Sequence, residues 1–467
     1  AWCTCLRRAR PGNTGKTVND PMPDEPLTEL GYAHRLIDVY GDRLRYVPVW
    51  RRWLVWDGKR WADDTTGQVK RWMKTIARRI YTDALVVVDD AHRKAALNLA
   101  RRGESSAGIS GALTLASTHQ AIVISPEDLD ADPFLLNCAN GTYDLRTGRL
   151  AAHDPADLLT KITAAAYDPT ARGAEWHKFL HRVQPDPQMR EYLARLVGHA
   201  LEGRVIAHVL PIFCGDGANG KGTFIGAIIG ALGGYADAAD PDLLTARSFD
   251  AHPTGTADLF GLRLAILHET DAGRRLAEAT VKRLTGGDRL KARRMREDFW
   301  SFDPSHTFLM LTNHKPLVSG TDEGIWRRLR LVPWPVVIPA AERDEDLGQR
   351  LAVEADAILT WIIDGYGEWR ARGLDDPEPV TSATTSYRSE SDALRRFLDE
   401  RCFLGPNFTV RSSELFGAWS GWCAREGEET GTNKAVTEAL QGRGYETRHT
   451  NIGAVWRGIG LAADGAE

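Results

Sequence analysis

The run Val209-Leu-Pro-Ile-Phe-Cys214 followed by Gly215-Asp-Gly-Ala-Asn-Gly-Lys221-Gly-Thr223 constrains this chain more than any other feature. An apolar stretch of strand length that enters a glycine-rich turn, meets a Lys and leaves through a helix is what cradling an anion requires. Glycines let backbone N–H groups approach, the Lys reaches the outer phosphates, and the helix N-terminus adds positive potential. The spacing predicts a helix over 223–232, because Phe224, Ile225, Ile228, Ile229 and Leu232 share one face and Gly233-Gly234 ends it. Pro211 weakens the strand reading, since a central strand needs its N–H. The nucleotide-binding candidates are Gly215, Gly217, Asn219, Gly220, Lys221, Gly222 and Thr223. In the usual G-x-x-x-x-G-K-[ST] loop a magnesium-binding hydroxyl follows the Lys directly; here Gly222 holds that place and Thr223 comes one residue later.

A nucleoside triphosphate held this way, ATP with Mg2+, needs an acidic group at the end of a nearby strand. Arg263-Leu-Ala-Ile-Leu-His-Glu269-Thr-Asp271 offers Glu269 directly after an apolar run, and Asp271 to share the metal through water. Thr307-Phe-Leu-Met-Leu-Thr312 reads as another strand, ending on Asn313, which either senses the γ-phosphate or caps a turn. Gly324-Ile-Trp-Arg327-Arg328 follows, and one of its guanidinium groups could reach the phosphates of a neighbouring subunit's ATP. Between the two strands lies Lys282-Arg-Leu-Thr-Gly286-Gly287-Asp288-Arg289-Leu-Lys291-Ala-Arg293-Arg294. Gly-Gly-Asp suits a hairpin tip, and Lys282, Arg289, Lys291, Arg293 and Arg294 would track a phosphate backbone; a solvated basic face is the alternative.

Length and composition bound the rest. A chain of 467 residues is expected to split into two to four domains. A net charge of −4 excludes a protein that coats nucleic acid over its whole surface and leaves room for a focused basic site. Six scattered cysteines form no zinc or disulfide pattern, and no apolar run reaches membrane-span length, so a cytoplasmic location is expected. Residues 1–28 read as a flexible tail, whose Gly12-Asn-Thr-Gly-Lys16-Thr17 imitates a phosphate loop without a preceding strand. Residues 29–130 read as an α/β domain with a hairpin turning on Asp57-Gly58, its interleaved Trp and Arg residues forming either a small core or a base-stacking surface. Residues 131–204 combine a hairpin at Asn140-Gly141 with a helical stretch over 174–201; 205–340 is the α/β core; 341–387 is a helix over 346–369 and a Pro-rich linker; 388–467 reads as three helices and a strand pair. Asp128-Leu-Asp130 is an acid pair without an evident partner acid.

The ordered set of Asn-Gly-Lys loop, Glu-ended strand, Lys-x-x-Thr-Gly-Gly-Asp, Thr-Asn strand end and Gly-Ile-Trp-Arg-Arg resembles superfamily III helicases, specifically the phage and plasmid primase-helicases related to the poxvirus primase-helicase. The resemblance is strong over 205–335 and extends through Phe134-Leu-Leu-Asn-Cys-Ala-Asn-Gly-Thr-Tyr-Asp-Leu. It implies an α/β fold with a P-loop AAA+-type ATPase core and a C-terminal winged-helix-like domain. In that domain Arg443, Arg448 and Arg457 are possible DNA contacts, and a protein-docking module is the equal alternative. It further implies a hexameric ring on single-stranded or forked DNA, with Lys221 on phosphate, Glu269 on metal and water, Asn313 as sensor, and Arg328 or Arg327 acting in trans. The expected function is a replicative DNA helicase of a phage, prophage or plasmid in a bacterial host, working with a separate primase or initiator or with a primase part that precedes this sequence. The rival expectation is a non-hydrolysing, nucleotide-switched origin-binding or loader protein, which Gly222 favours.

Overall fold

The computed structural model describes residues 25–246, 254–268, 274–295, 297–318, 322–428, 430–450 and 453–462, so the decoy loop at Lys16 lies outside the described residues. Its centre is a five-stranded sheet. Numbered in chain order, the strands are β1 (Leu210–Cys214), β2 (Ala236–Ala238), β3 (Leu264–His268), β4 (Thr307–Thr312) and β5 (Leu329–Pro333). They run parallel in the order β5-β1-β4-β3-β2. Parallel sheets are covered on both faces, which explains the near-continuous apolar character of β1, β3 and β4. Phe213, Ile266, Leu309, Leu311 and Val332 join one core, while Ile212, Ala265, Leu267, Phe308, Met310 and Leu331 join the other. Pro211 is accommodated because the β1–β4 ladder begins one residue later, at Ile212↔Met310.

The first core unites segments that the sequence suggests are separate. Trp176, Phe179, Leu193 and Val197 pack with Phe224 and Ile228 of the helix Lys221–Leu232 and with Ile358, Ile362 and Tyr366, so 134–380 is one packed unit. Arg263 ties it together: its buried guanidinium donates to Pro133 O (2.7 Å), Leu201 O (2.8 Å) and Leu135 O (3.1 Å). Three local expectations need correction. The helical stretch 174–201 is two helices, Ala174–Val183 and Pro187–His199, because Pro185 interrupts it and Asp186 caps the second while Pro187 takes its first turn. The helix over 346–369 breaks at Glu354 into Leu347–Val353 and Ala355–Arg372. The Pro-rich linker is half helix, since Glu378–Ser391 starts there with Pro379 where no helical N–H bond is lost.

The N-terminal residues form a helical core of their own around Tyr32, Leu36, Met73, Ile76 and Leu113. Beside it the sheet Leu44–Val47, Arg52–Trp56 and Trp61–Asp63 turns Trp50, Leu54 and Trp61 into the second core of the central unit. These Trp residues are therefore packing residues. The acid pair also has a local role: Asp128 accepts from Ser125 N (2.8 Å), and half-buried Asp130 accepts from Thr160 N (2.8 Å). The C-terminal unit contains a strand that periodicity misses, Cys402–Arg411, so its order is helix Ala393–Arg401, that strand, helices Ser412–Glu426 and Asn433–Gly442, then strands Glu446–Thr450 and Gly453–Leu461. Gly405-Pro406 in its middle and a register shift between Leu404 and Thr409 hide the alternation.

Two buried histidines give this fold a pH dependence. His199 donates through Nδ1 to Leu196 O (2.6 Å), and burial pushes both His199 and His306 down from 6.5 to about 4. The unfolded chain binds a proton at each ring near its ordinary pKa, whereas the folded chain does so only near 4. Between those values the folded state holds fewer protons, so its stability falls as pH falls. Lowering the pH to 5 is expected to cost about 2 kcal/mol per ring. Thermal unfolding at pH 7 and pH 5 should show this, and His306→Phe should flatten the slope; an equal slope in that variant would refute it.

Candidate functional site

The glycine-rich loop leaves the C-terminal end of β1 and enters the helix Lys221–Leu232, with Gly220 as its N-cap residue. Ligands of parallel α/β sheets bind at this end, where the strand order switches direction. Gly220 adopts φ +85°, and a Cβ there would come 2.5 Å from Val183 Cγ1. A Cβ on Gly215 would meet Trp334 O at 2.3 Å. Asn219, which is buried, braces the loop by donating from Nδ2 to Asp216 O (2.6 Å) and accepting from Lys221 N (3.3 Å). Lys221 Nζ donates to Gly215 O and to Asn313 Oδ1, the latter at 3.2 Å. Burial holds its ammonium below the ordinary lysine range. The Asn313 contact follows from topology, because β4 lies next to β1 and ends beside the loop.

Gly222 is exposed, and a Cβ there would meet nothing within 4 Å. Thr223 follows half-buried in the first turn of the helix. Space for the usual hydroxyl therefore exists at 222. Gly222→Ser is expected to fold with a Tm within about 1 °C of the parent and Gly220→Ala to lose several degrees, about 1–3 kcal/mol for the forced φ and the clash. Thermal melts of the two variants check this, and equal melting would contradict the geometry. Glu269 and Asp271 lie outside the described residues. β3 ends at His268, two strand spacings from β1, or roughly 10 Å across the sheet.

The two arginines after β4 have opposite environments. Arg328 is 8% exposed; its Nε donates to Thr285 Oγ1 (3.1 Å) and its Nη1 to Gly324 O (2.6 Å). Burial keeps its pKa below the ordinary arginine value. In this chain it acts as an internal strut. Arg327 is exposed at the end of the short helix Glu323–Trp326. This segment leads into β5, whose first residue pairs with Leu210, the first of β1. Arg327 thus sits at the edge of the sheet opposite the loop of its own chain, roughly 16 Å along the strands.

The basic segment also differs from its expected layout. Gly286-Gly287-Asp288 links the helix Glu278–Leu284 to the strand Leu290–Ala292, and the hairpin tip is 293–299, before the strand Trp300–Phe302. Gly287, at φ +82°, makes the turn out of the helix. Lys282 is ion-paired to Asp322, and Arg289 to Glu127 (2.5 Å) and Asp303 (3.5 Å). Arg294 lies over the Trp50 ring (5.5 Å), and Arg52 pairs with Glu297 (2.9 Å), so the N-terminal sheet grips the hairpin. Lys291, from the first hairpin strand, and Arg293, from the tip, flank Phe299 at 4.9 and 4.7 Å from its ring, and Phe299 is 49% exposed. Phe299 was missed in the sequence, although an aromatic residue beside a basic run is a signal that could have found it. In the C-terminal unit Arg443 Nη2 donates to both carboxylate oxygens of Asp392 (2.5 Å), while Arg448 and Arg457 are exposed on one face of the sheet.

Residues 33–185 match the family described as D5 N terminal like, and residues 213–328 match a family of unknown function (DUF5906). A protein of Acanthamoeba polyphaga mimivirus named as a candidate helicase is 28% identical over 297 residues, covering 58% of this chain and 31% of that one. A protein of African swine fever virus named as a candidate primase is 25% identical over 327 residues, covering 63% of this chain and 34% of that one. The chain thus spans about a third of the length of these relatives. The solved C-terminal region of NrS-1 has the same fold, with a TM-score of 0.51 and 11% identity over 93% of this chain and 99% of that one. Among the described residues, no helix is long and apolar enough to cross a membrane.

Proposed function

We propose, from the premise that this chain belongs to the primase-helicase family, that it is the ATP-driven motor of a DNA helicase acting in the replication of a virus, phage or plasmid. The single observation that carries the reading is the contact of Lys221 Nζ with Asn313 Oδ1, at the mouth of a glycine cradle too tight for any Cβ at 215 or 220. That arrangement suits a P-loop of the AAA+ type. The residues fit ATP with Mg2+: Lys221 and the 217–221 backbone would hold the phosphates, and Thr223 with Glu269 and Asp271 would hold the metal. Bound there, the nucleotide supplies the free energy of phosphoanhydride cleavage. Glu269 would orient the attacking water. Asn313 would report the γ-phosphate to β4. Arg327, facing away from its own loop, would complete the site of the next subunit in a hexameric ring.

Lys291, Arg293 and Phe299 form the surface best suited to single-stranded DNA, two cations for phosphates around an aromatic face for a base. The C-terminal unit suits a winged helix, with Arg448 and Arg457 toward DNA. Forked-duplex unwinding tests the whole reading: wild-type protein with ATP should separate the strands. Phe299→Ala together with Lys291→Ala should weaken single-strand binding by about 10-fold or more. ATP-dependent binding without strand separation, unchanged by Glu269→Gln, would favour instead the nucleotide-switched loader, the reading supported by Gly222.

A further inference from the structure

We infer that Arg328 and Thr285 form a positioning pair that ties the basic hairpin of a subunit to its Arg327, so that DNA on the hairpin controls how the neighbour's ATP site is completed. This rests on the reading of Arg327 as the residue acting in trans and of 290–302 as the DNA-contacting hairpin.

The helix Glu278–Leu284 ends in Thr285 and passes through Gly286-Gly287-Asp288 directly into the first hairpin strand. Two contacts, one helical turn apart, fasten this helix to the segment that bears Arg327. At Lys282 the ammonium is ion-paired with Asp322, whose carboxylate also caps the helix Glu323–Trp326 by accepting from Gly324 N (2.8 Å). At Thr285 the hydroxyl accepts from Arg328 Nε (3.1 Å) and donates to Val281 O (2.6 Å), and the carbonyl faces His208 Nδ1 (2.9 Å). The second Arg328 donor, Nη1, reaches back to Gly324 O (2.6 Å), closing a loop around Arg327. Because Arg328 is buried, the hairpin helix cannot shift away from this segment without leaving a desolvated guanidinium short of a partner. Movement is therefore shared. A displacement of the hairpin by a DNA strand travels through Thr285 and Arg328 to the adjacent Arg327, and the same link carries nucleotide turnover at the neighbouring subunit back to the hairpin.

Thr285→Val tests this in the full chain, since it keeps the side-chain shape and puts a methyl group where the hydroxyl was. The readouts are ATP turnover with and without saturating single-stranded DNA, and DNA affinity without nucleotide. The stimulation factor is expected to fall by about fivefold or more, with DNA-free turnover and nucleotide-free affinity staying within about twofold of wild type. Asp322→Asn, which retains a capping residue but loses the ion pair, is expected to act in the same direction and serves where Thr285→Val melts early. Unchanged stimulation in both variants would overturn the inference. So would a parallel fall of basal and stimulated turnover, the mark of a merely structural role. Wild-type protein that shows no stimulation would overturn the helicase reading instead, which keeps the two failures apart.

Discussion

Lys221→Ala is expected to lower DNA-stimulated ATP turnover by about 100- to 1000-fold while leaving the fold intact. The argument is electrostatic. The ammonium sits in a partly desolvated position between the loop carbonyl of Gly215 and the Asn313 amide, where its charge is worth more than in water. Its two partners are neutral, so no buried countercharge is stranded when it is removed, and the Tm should move by only a few degrees. Asn313→Ala should show a smaller loss of turnover, because it removes one member of the same contact and spares the charge. Steady-state hydrolysis of the two variants, with melting curves as a control for folding, decides the matter. Wild-type turnover in Lys221→Ala would remove the basis for the site.

Arg327→Ala is expected to reduce turnover by about 1000-fold or more, the range seen when a trans-acting arginine is lost. Its effect should also have a signature that a cis residue lacks. When Arg327→Ala protein is mixed with Lys221→Ala protein, some interfaces combine an intact loop with an intact arginine, and activity should reappear above that of either variant alone. Activity that stays at the sum of the two would place Arg327 outside the neighbour's site. Arg328→Ala should behave differently, because it leaves Thr285 Oγ1 without its donor and opens space in the core; a stability loss of about 2–4 kcal/mol is expected before any specific effect on turnover.

These two neighbouring arginines show where the sequence is informative and where it stops. The strand, glycine-rich loop and helix around Lys221 are legible because each requirement is local: an apolar strand, glycines where a Cβ cannot fit, a Lys, and an amphipathic helix. The strand carrying Asn313 is legible for the same reason, although its contact with Lys221 depends on β4 lying beside β1, which no local pattern encodes. Which of Arg327 and Arg328 faces outward depends on how the helix Glu323–Trp326 is set against Thr285, a matter of packing. The Gly-Gly-Asp segment misleads because glycine permits the turn out of a helix as readily as a hairpin tip; Gly287 at φ +82° serves the former. Two prolines are local punctuation of the same kind: Pro185 follows the end of one helix and Pro379 lies in the first turn of another. The division into domains was the least legible, because Trp176, Phe224 and Ile358 come from three sequence segments and meet only in the core.

The central claim, that DNA drives ATP hydrolysis at the loop around Lys221, is tested most directly by measuring the turnover of wild-type protein with Mg2+ and ATP, with and without single-stranded DNA. Turnover that rises about 10-fold or more with DNA and disappears in Glu269→Gln is the predicted result. Tight ATP binding with negligible turnover in both conditions would contradict it.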